Sequence, residues 1–318
     1  MRYRTLGKDL QVSAVSLGCM GMTHAYGAPS DEKEMIDRIH EAYDLGYTMF
    51  DTAECYTGTN PDGSTAYNEE LVGKAIKPFR DKIVLATKCG VFWDDNGKML
   101  RDSSKASIRR SIEGSLKKLD TDHIDLYYQH RIDPNVSPEE VAETMAELMK
   151  EGKITHWGIS ETDEEYLRRA NAVCPVTAIQ NRYSMITREY EYMFPVLEEL
   201  NIGMVAFSPL ANGFLSGAYS KKDKFTDPLD FRSHMKQYTD EGFDAYEQLL
   251  KMIQEIAEQR KVTPAAVSLA WMIDRKPFLV PIPGTRKSSR LKENASAADV
   301  NLTAEEIKKI DALLDQID

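Results

Sequence analysis

Four side chains stand out by type and spacing. Asp51 closes the apolar run Tyr47-Thr48-Met49-Phe50, and Tyr56 follows five residues later in FDTAECY. Lys88 follows Ile83-Val84-Leu85-Ala86-Thr87, and His130 follows Ile124-Asp125-Leu126-Tyr127-Tyr128-Gln129. An acid, a phenol, an amine and an imidazole thus sit at the ends of three successive apolar segments, where a rigid scaffold can hold reactive groups. A phenol that titrates at about pH 10 is a poor acid at neutrality unless a cation stabilises its phenolate. Lys88 is expected to be that cation, Asp51 to hold it protonated, and His130 to aim a donor at a substrate oxygen. Such a set protonates a carbonyl oxygen as negative charge develops there. Apart from the lysine, none of the four is a nucleophile toward the carbonyl carbon. Singly, an Asp–Lys pair reads as a structural ion pair and a tyrosine as packing; four together read as a site.

These residues can be neighbours only if the segments that carry them end on one face. Strands are predicted at 12–17, 47–50, 83–87, 123–129, 155–159, 177–181, 203–207 and 278–282. Helices are predicted from Asp31 to Leu45 and over 68–76, 107–119, 138–151, 163–172, 190–200, 243–260, 264–274 and 287–297, with another from Thr303. Loops are expected at 57–67 and 90–104, rich in Gly, Asn, Asp and Pro or Ser, and a long one at 211–241 after strand seven. The start of the chain reads as a short hairpin. About eight strand and helix units with mostly unbroken apolar strands predict a single-domain α/β fold over 1–318, a (β/α)₈ TIM barrel with an N-terminal hairpin and an extra C-terminal helix. A doubly wound open sheet is the alternative, but it would carry G-x-G-x-x-G after an early strand if it held a dinucleotide, and no such string occurs.

With 42% hydrophobic and 29% charged residues among 318, the chain can bury a sizeable core. A net charge of −11 disfavours nucleic acid and anionic membrane as partners, so an anion site must be local. The N-terminal residues lack an apolar leader segment and no window suits a membrane span, which predicts a cytoplasmic protein. Cys19, Cys55, Cys89 and Cys174 show neither a disulfide framework nor a zinc spacing, so no metal is expected. Cys19, Cys55 and Cys89 fall near strand ends. The plain reading is apolar filler; a second is that a thiol near the ammonium of Lys88 has a lowered pKa and is oxidant-sensitive.

The strings FDTAECY, ATKCG and LYYQHRID, with Gly158-Ile159-Ser160, Gln180, FSPLANGFLSG and PIPGTRKSSRLKEN, resemble the aldo-keto reductase superfamily along nearly the whole chain, in particular the bacterial and plant branch with perakine-reductase-like and auxin-induced-protein-like members. The resemblance implies a catalytic tetrad of Asp51, Tyr56, Lys88 and His130, with Tyr56 as general acid and NADPH as the source of hydride toward a small carbonyl substrate. It implies that Cys19, Met20 and Asp51 lie beside the cofactor, that Ser160 and Gln180 hold the carboxamide, and that Phe207 stacks on the nicotinamide. Ser208, Leu210 and Gly213 would line the pyrophosphate. Gly284, Thr285, Arg286 and Arg290 would take the phosphate at a helix start, with Glu293 and Asn294 near the adenine. Phe92 and Trp93 are candidate pocket walls beside Tyr56 and His130. Glu161 stands where many relatives carry Asn, which removes one carboxamide contact. Two other functions stay open: a Schiff-base lyase using Lys88 as a desolvated amine, and a non-catalytic nucleotide-sensing module on the same fold.

Overall fold

The computed structural model describes residues 1–94 and 96–317. The chain starts with the antiparallel hairpin β1 (Tyr3–Leu6) and β2 (Leu10–Ser13). Then come β3 (Leu17–Gly18), β4 (Met49–Asp51), the hairpin β5 (Thr57–Thr59) and β6 (Thr65–Tyr67), β7 (Val84–Cys89), and the hairpin β8 (Val91–Trp93) and β9 (Met99–Arg101). The last five strands are β10 (Ile124–Gln129), β11 (Ile154–Ser160), β12 (Ala178–Arg182), β13 (Gly203–Phe207) and β14 (Leu279–Pro281). Helices α1 (Glu32–Asp44), α2 (Asn68–Ile76), α3 (Lys105–Leu119), α4 (Pro138–Lys150), α5 (Glu164–Val173), α6 (Phe194–Leu200), α7 (Asp240–Arg260), α8 (Pro264–Arg275), α9 (Ser288–Ser296) and α10 (Ala304–Ile317) alternate with them. Side chains cap most starts: Asp31, Ser104, Asp163 and Thr263 each accept a backbone N–H, and Ser137 with Glu140 forms a capping box.

Eight parallel strands run in the order β14-β13-β12-β11-β10-β7-β4-β3. The two edges meet, because Gly18 bridges Gly284 in parallel and the N–H of Ser16 donates to Pro281 O at 3.0 Å. A Cβ on Gly18 would lie 2.8 Å from Ile282 O, and one on Gly284 would lie 2.8 Å from Gly18 O, so the seam closes on bare backbone. The result is a (β/α)₈ barrel.

Side chains alternate across each strand, and the alternation sorts the core into two shells. Phe50, Leu85, Tyr127 and Ile179 point outward against the helices. Met49, Ala86, Leu126, Tyr128, Ala178 and Val205 point into the barrel, whose floor is plugged by Leu6, Leu10 and Val12 of the hairpin. Counting on by twos from the inward residues gives Asp51, Lys88, His130, Gln180 and Phe207, all at the upper rim.

Some expectations need correction. Residues 12–17 do not form one strand: Val12 pairs in the hairpin, and Ser13 Oγ donates to Val15 O at 2.7 Å, turning the chain before the two-residue strand β3. The expected loops 57–67 and 90–104 each contain a hairpin. Their Asn, Asp and Gly residues make only the turns, as in Asn60 to Ser64 and Asp94 to Lys98, and the flanking residues pair. Within the second loop, Asp95 lies outside the described residues. Among those described, no helix is long and apolar enough to cross a membrane.

Candidate active site

At the end of β7, the Lys88 side chain is fully buried and aims inward because Ala86 does. Its Nζ donates to Asp51 Oδ1 at 2.5 Å, Thr52 O at 2.7 Å and Tyr56 Oη at 3.2 Å, which uses all three donors. The second oxygen of Asp51 accepts from Gln180 Nε2 at 2.8 Å. Burial alone would drive the Lys88 ammonium to lose its proton, but Asp51 and then Tyr56 outweigh it and the pKa rises above its usual value. The amine is therefore a fixed cation.

Tyr56 reaches this cation through a short loop. Glu54 Oε1 accepts the N–H of Gly90 at 2.9 Å, and the Glu54 N–H donates to Lys88 O at 3.3 Å, so the loop is stapled to the end of β7. Burial pushes the Tyr56 phenol up to about 12, with Lys88 pulling it back. Lys88 thus acts in the expected direction, and desolvation outweighs it in the folded chain. Burial, then the charges of Lys88 and Arg131, hold the His130 imidazole well below its ordinary range, so the ring is neutral at physiological pH. Its Nδ1 lies 3.4 Å from Cys55 Sγ, and its ring meets Tyr56 edge-on at 5.6 Å.

The same burial overturns the reactive-thiol expectation. Cys55 is pushed up to about 12, and Cys19 and Cys89 are raised further, Lys88 pulling only weakly on the first two. All three thiols are buried and held in the protonated form at neutral pH.

Tyr56 and His130 open into a cavity of about 730 Å³ that runs from them along the ends of β11, β12, β13, β14 and β3 to the start of α9. Met20, Ser160, Gln180, Phe207, Ser208, Leu210, Gly213, Gly284, Thr285, Arg286, Arg290, Glu293 and Asn294 line it, as does Trp93. Two expected residues do not. Cys19 is buried in the outer core with its thiol turned toward Leu17 O, leaving only its backbone near the groove. Phe92 sits on the opposite face of β8 from Trp93, as neighbouring strand residues must. Ser160 Oγ already donates to Gln180 O at 2.8 Å and accepts from Arg131 Nη1 at 3.0 Å.

Sequence reasoning missed several walls of this cavity. His24 stacks over Tyr56 with centroids 5.9 Å apart, held by Nδ1 at 2.7 Å from Thr57 O. Tyr26, Asn212, Arg232, Arg131 and Arg182 also line it. Only Arg131, beside His130, carried a positional signal.

The far end suits a nucleotide. Arg286 Nη2 and Asn294 Oδ1 are buried without a partner, each an unmet donor or acceptor that a ligand phosphate and base could meet. Arg286, Lys287 and Arg290 gather there at the first turn of α9, in a chain that is otherwise acidic. Among the described residues no cluster of His, Cys, Asp and Glu could hold a metal ion.

Known proteins were compared with this chain. The profile of the Aldo/keto reductase family matches residues 14–315. A curated relative, the probable aldo-keto reductase 1 of Glycine max, is 38% identical over 305 residues, covering 95% of this chain and 86% of that protein. Among solved structures, glycerol dehydrogenase from Gluconobacter oxydans superposes with a TM-score of 0.87 at 28% identity, covering 99% of this chain and 95% of its own. An aldo/keto reductase from Klebsiella pneumoniae, solved in complex with NADP and acetate, gives 0.73 at 29% identity, covering 98% of this chain and 95% of its own.

Proposed function

The chain belongs to the aldo/keto reductase family, and from that premise we propose that it reduces aldehydes or ketones to alcohols with NADPH, Tyr56 acting as general acid. The observation that carries this reading is the Lys88 ammonium held between Asp51 at 2.5 Å and the Tyr56 hydroxyl at 3.2 Å, at one end of a groove whose other end gathers Arg286, Lys287 and Arg290.

The residues divide the work by position. Tyr56 keeps its proton across the physiological range because its pKa is about 12, and it gives that proton up only when an oxyanion forms beside it. The phenolate left behind lies against the Lys88 ammonium, whose charge stabilises it in a dry site. Asp51 keeps that ammonium charged and in place. Neutral His130, whose Nδ1 lies beside the Cys55 thiol at 3.4 Å, would offer an Nε2 N–H to the same substrate oxygen. Bound in the groove, NADPH supplies the hydride. Phe207 would stack on its nicotinamide, Ser160 and Gln180 would face the carboxamide, and Ser208, Leu210, Gly213, Gly284 and Thr285 would line the diphosphate. Arg286 and Arg290 would hold the 2′-phosphate that separates NADPH from NADH, with Asn294 at the adenine. Trp93, Tyr56 and His130 would wall the substrate.

The Schiff-base alternative loses ground to the same geometry. A nucleophilic lysine must be a free, neutral amine, whereas all three donors of Lys88 are engaged and its pKa is raised.

A carbonyl panel followed by loss of reduced-nicotinamide absorbance, run with NADPH and NADH, tests the proposal. Tyr56→Phe is expected to lose at least about 100-fold in kcat, the scale of a general acid, while binding NADPH as before. Turnover unchanged in that variant removes the phenol from the mechanism. Absence of any turnover in the parent favours the nucleotide-sensing alternative.

A further inference from the structure

We propose that the substrate is a carbonyl compound bearing an anionic group, a carboxylate or a phosphate, which Arg131 and Arg182 recognise at the barrel mouth; this rests on the reductase reading of the site. Both arginines line the catalytic end of the cavity. Arg182 ends β12, and strand alternation sends it the same way as Gln180, which contacts Asp51 inside the barrel. Arg131 follows His130 directly. The two guanidinium carbons converge on one ring, 5.9 Å and 5.8 Å from the centroid of Phe207.

Arg182 is exposed at the mouth and Arg131 is partly buried, and both leave N–H groups open to an incoming ligand. Arg131 spends one nitrogen, Nη1, on His130 O at 2.6 Å and Ser160 Oγ at 3.0 Å, and among the described residues Arg182 meets only the Phe207 ring. A guanidinium carries five N–H donors. Neither cation has a carboxylate within ion-pair distance among the described residues, although the chain carries 51 acidic and 40 basic side chains and most of its arginines are paired.

The cavity's own acids cannot serve them. Asp51 is held by Lys88, and Glu293 by Arg290 at 2.5 Å. Arg232, toward the Arg286 end of the cavity, is matched by Asp230 at 2.6 Å. NADPH accounts for the cluster at the far end of the groove, around Arg286. Its charged phosphates would lie there, and the nicotinamide end leaves Arg182 and most of Arg131 without an anion. Two like charges beside one ring at the place where a carbonyl must enter raise the local positive potential and offer N–H donors to a carboxylate or phosphate.

The test uses matched substrates that differ only in the charged group: butanal against 4-oxobutanoate, and glyceraldehyde against glyceraldehyde 3-phosphate, with saturating NADPH. The anionic member is expected to have a kcat/KM about tenfold to a hundredfold higher, carried by KM, as one or two charge-assisted hydrogen bonds imply. Arg182→Gln is expected to collapse that ratio toward one, and raised salt to shrink it. The pair that shows the ratio tells carboxylate from phosphate. A ratio near one, a preference for the neutral member, or a ratio left intact in both Arg182→Gln and Arg131→Gln overturns the inference. Calorimetry of butanoate and butanamide, neither of which can give up a hydride, on the NADP⁺-loaded protein reads the same point without turnover. Charge-selective binding supports the inference even if no carbonyl is reduced, an outcome that sinks only the reductase reading; equal binding overturns the inference.

Discussion

At the scale of single residues, desolvation sets the chemistry more than pairing does. The Tyr56 phenol, the Cys55 thiol and the His130 imidazole all shift toward their neutral forms because each is taken out of water. Lys88 alone keeps its charge, because Asp51 is buried with it. Glu54 shows the same effect where its consequence can be measured. Burial pushes its carboxyl from the usual 4.5 up to about 7, against the pull of Ser111 and the Gly90 N–H. A carboxyl whose folded pKa lies above its unfolded one stabilises the fold while protonated; that stability is present below about pH 4.5 and is lost as pH rises through about 7. Thermal unfolding over a pH series is therefore expected to show the parent losing stability across this window relative to Glu54→Gln, which cannot ionise. Parallel curves for the two proteins would show that Glu54 is not desolvated as described.

At the scale of elements, the site depends on parts that never touch it. The N-terminal hairpin closes the barrel floor with Leu6, and a Cβ added to Gly203 at the start of β13 would lie 2.4 Å from the Leu6 side chain, so the plug fits closely. Leu6→Ala leaves a cavity in a fully buried position and is expected to cost about 2–5 kcal/mol of stability, seen as a lower denaturant midpoint, with kcat nearly unchanged. A matching fall in kcat would mean that the floor also sets the rim geometry. Hairpins β5–β6 and β8–β9 act at the other end. The second brings the Trp93 indole to donate to Cys55 O at 3.1 Å, which fixes a pocket wall to the loop that carries Tyr56.

At the scale of the whole molecule, loops from opposite ends of the sheet meet over β14. Tyr26, after β3, bridges Asp230, in the insertion after β13; the N–H of Phe231 donates to Ala25 O at 3.0 Å, and Asn212 Nδ2 donates to Tyr26 Oη at 2.6 Å. Arg232 packs 4.1 Å from the Phe225 ring and 5.4 Å from the Tyr26 ring. The two loops thus form a strap along the groove, which Tyr26, Asn212 and Arg232 line, and on the proposed reading the strap is expected to part before a nucleotide leaves. Asn212→Ala removes one strap hydrogen bond and is expected to speed NADPH release a few-fold to about tenfold, read by stopped-flow displacement. An unchanged release rate would show that the strap does not gate the cofactor.

Much of this was legible in the residues themselves. Apolar runs spaced by amphipathic helices specify a parallel barrel, and the strand ends mark Asp51, Lys88 and His130, because period two and a buried interior leave those side chains one direction to point. Local chemistry did not decide the rest. Whether Thr57 to Tyr67 pairs as a hairpin, whether Phe92 or Trp93 faces the pocket, and whether the Cys55 thiol, four residues past the end of β4, meets water all depend on what packs above them. Arg131 and Arg182 are 51 positions apart and Tyr26 and Asp230 are 204 apart; the strand order β12-β11-β10 brings the first pair to one rim and closure of the barrel at Gly18 and Gly284 brings the second together, because contact across a closed sheet follows strand order and not distance along the chain.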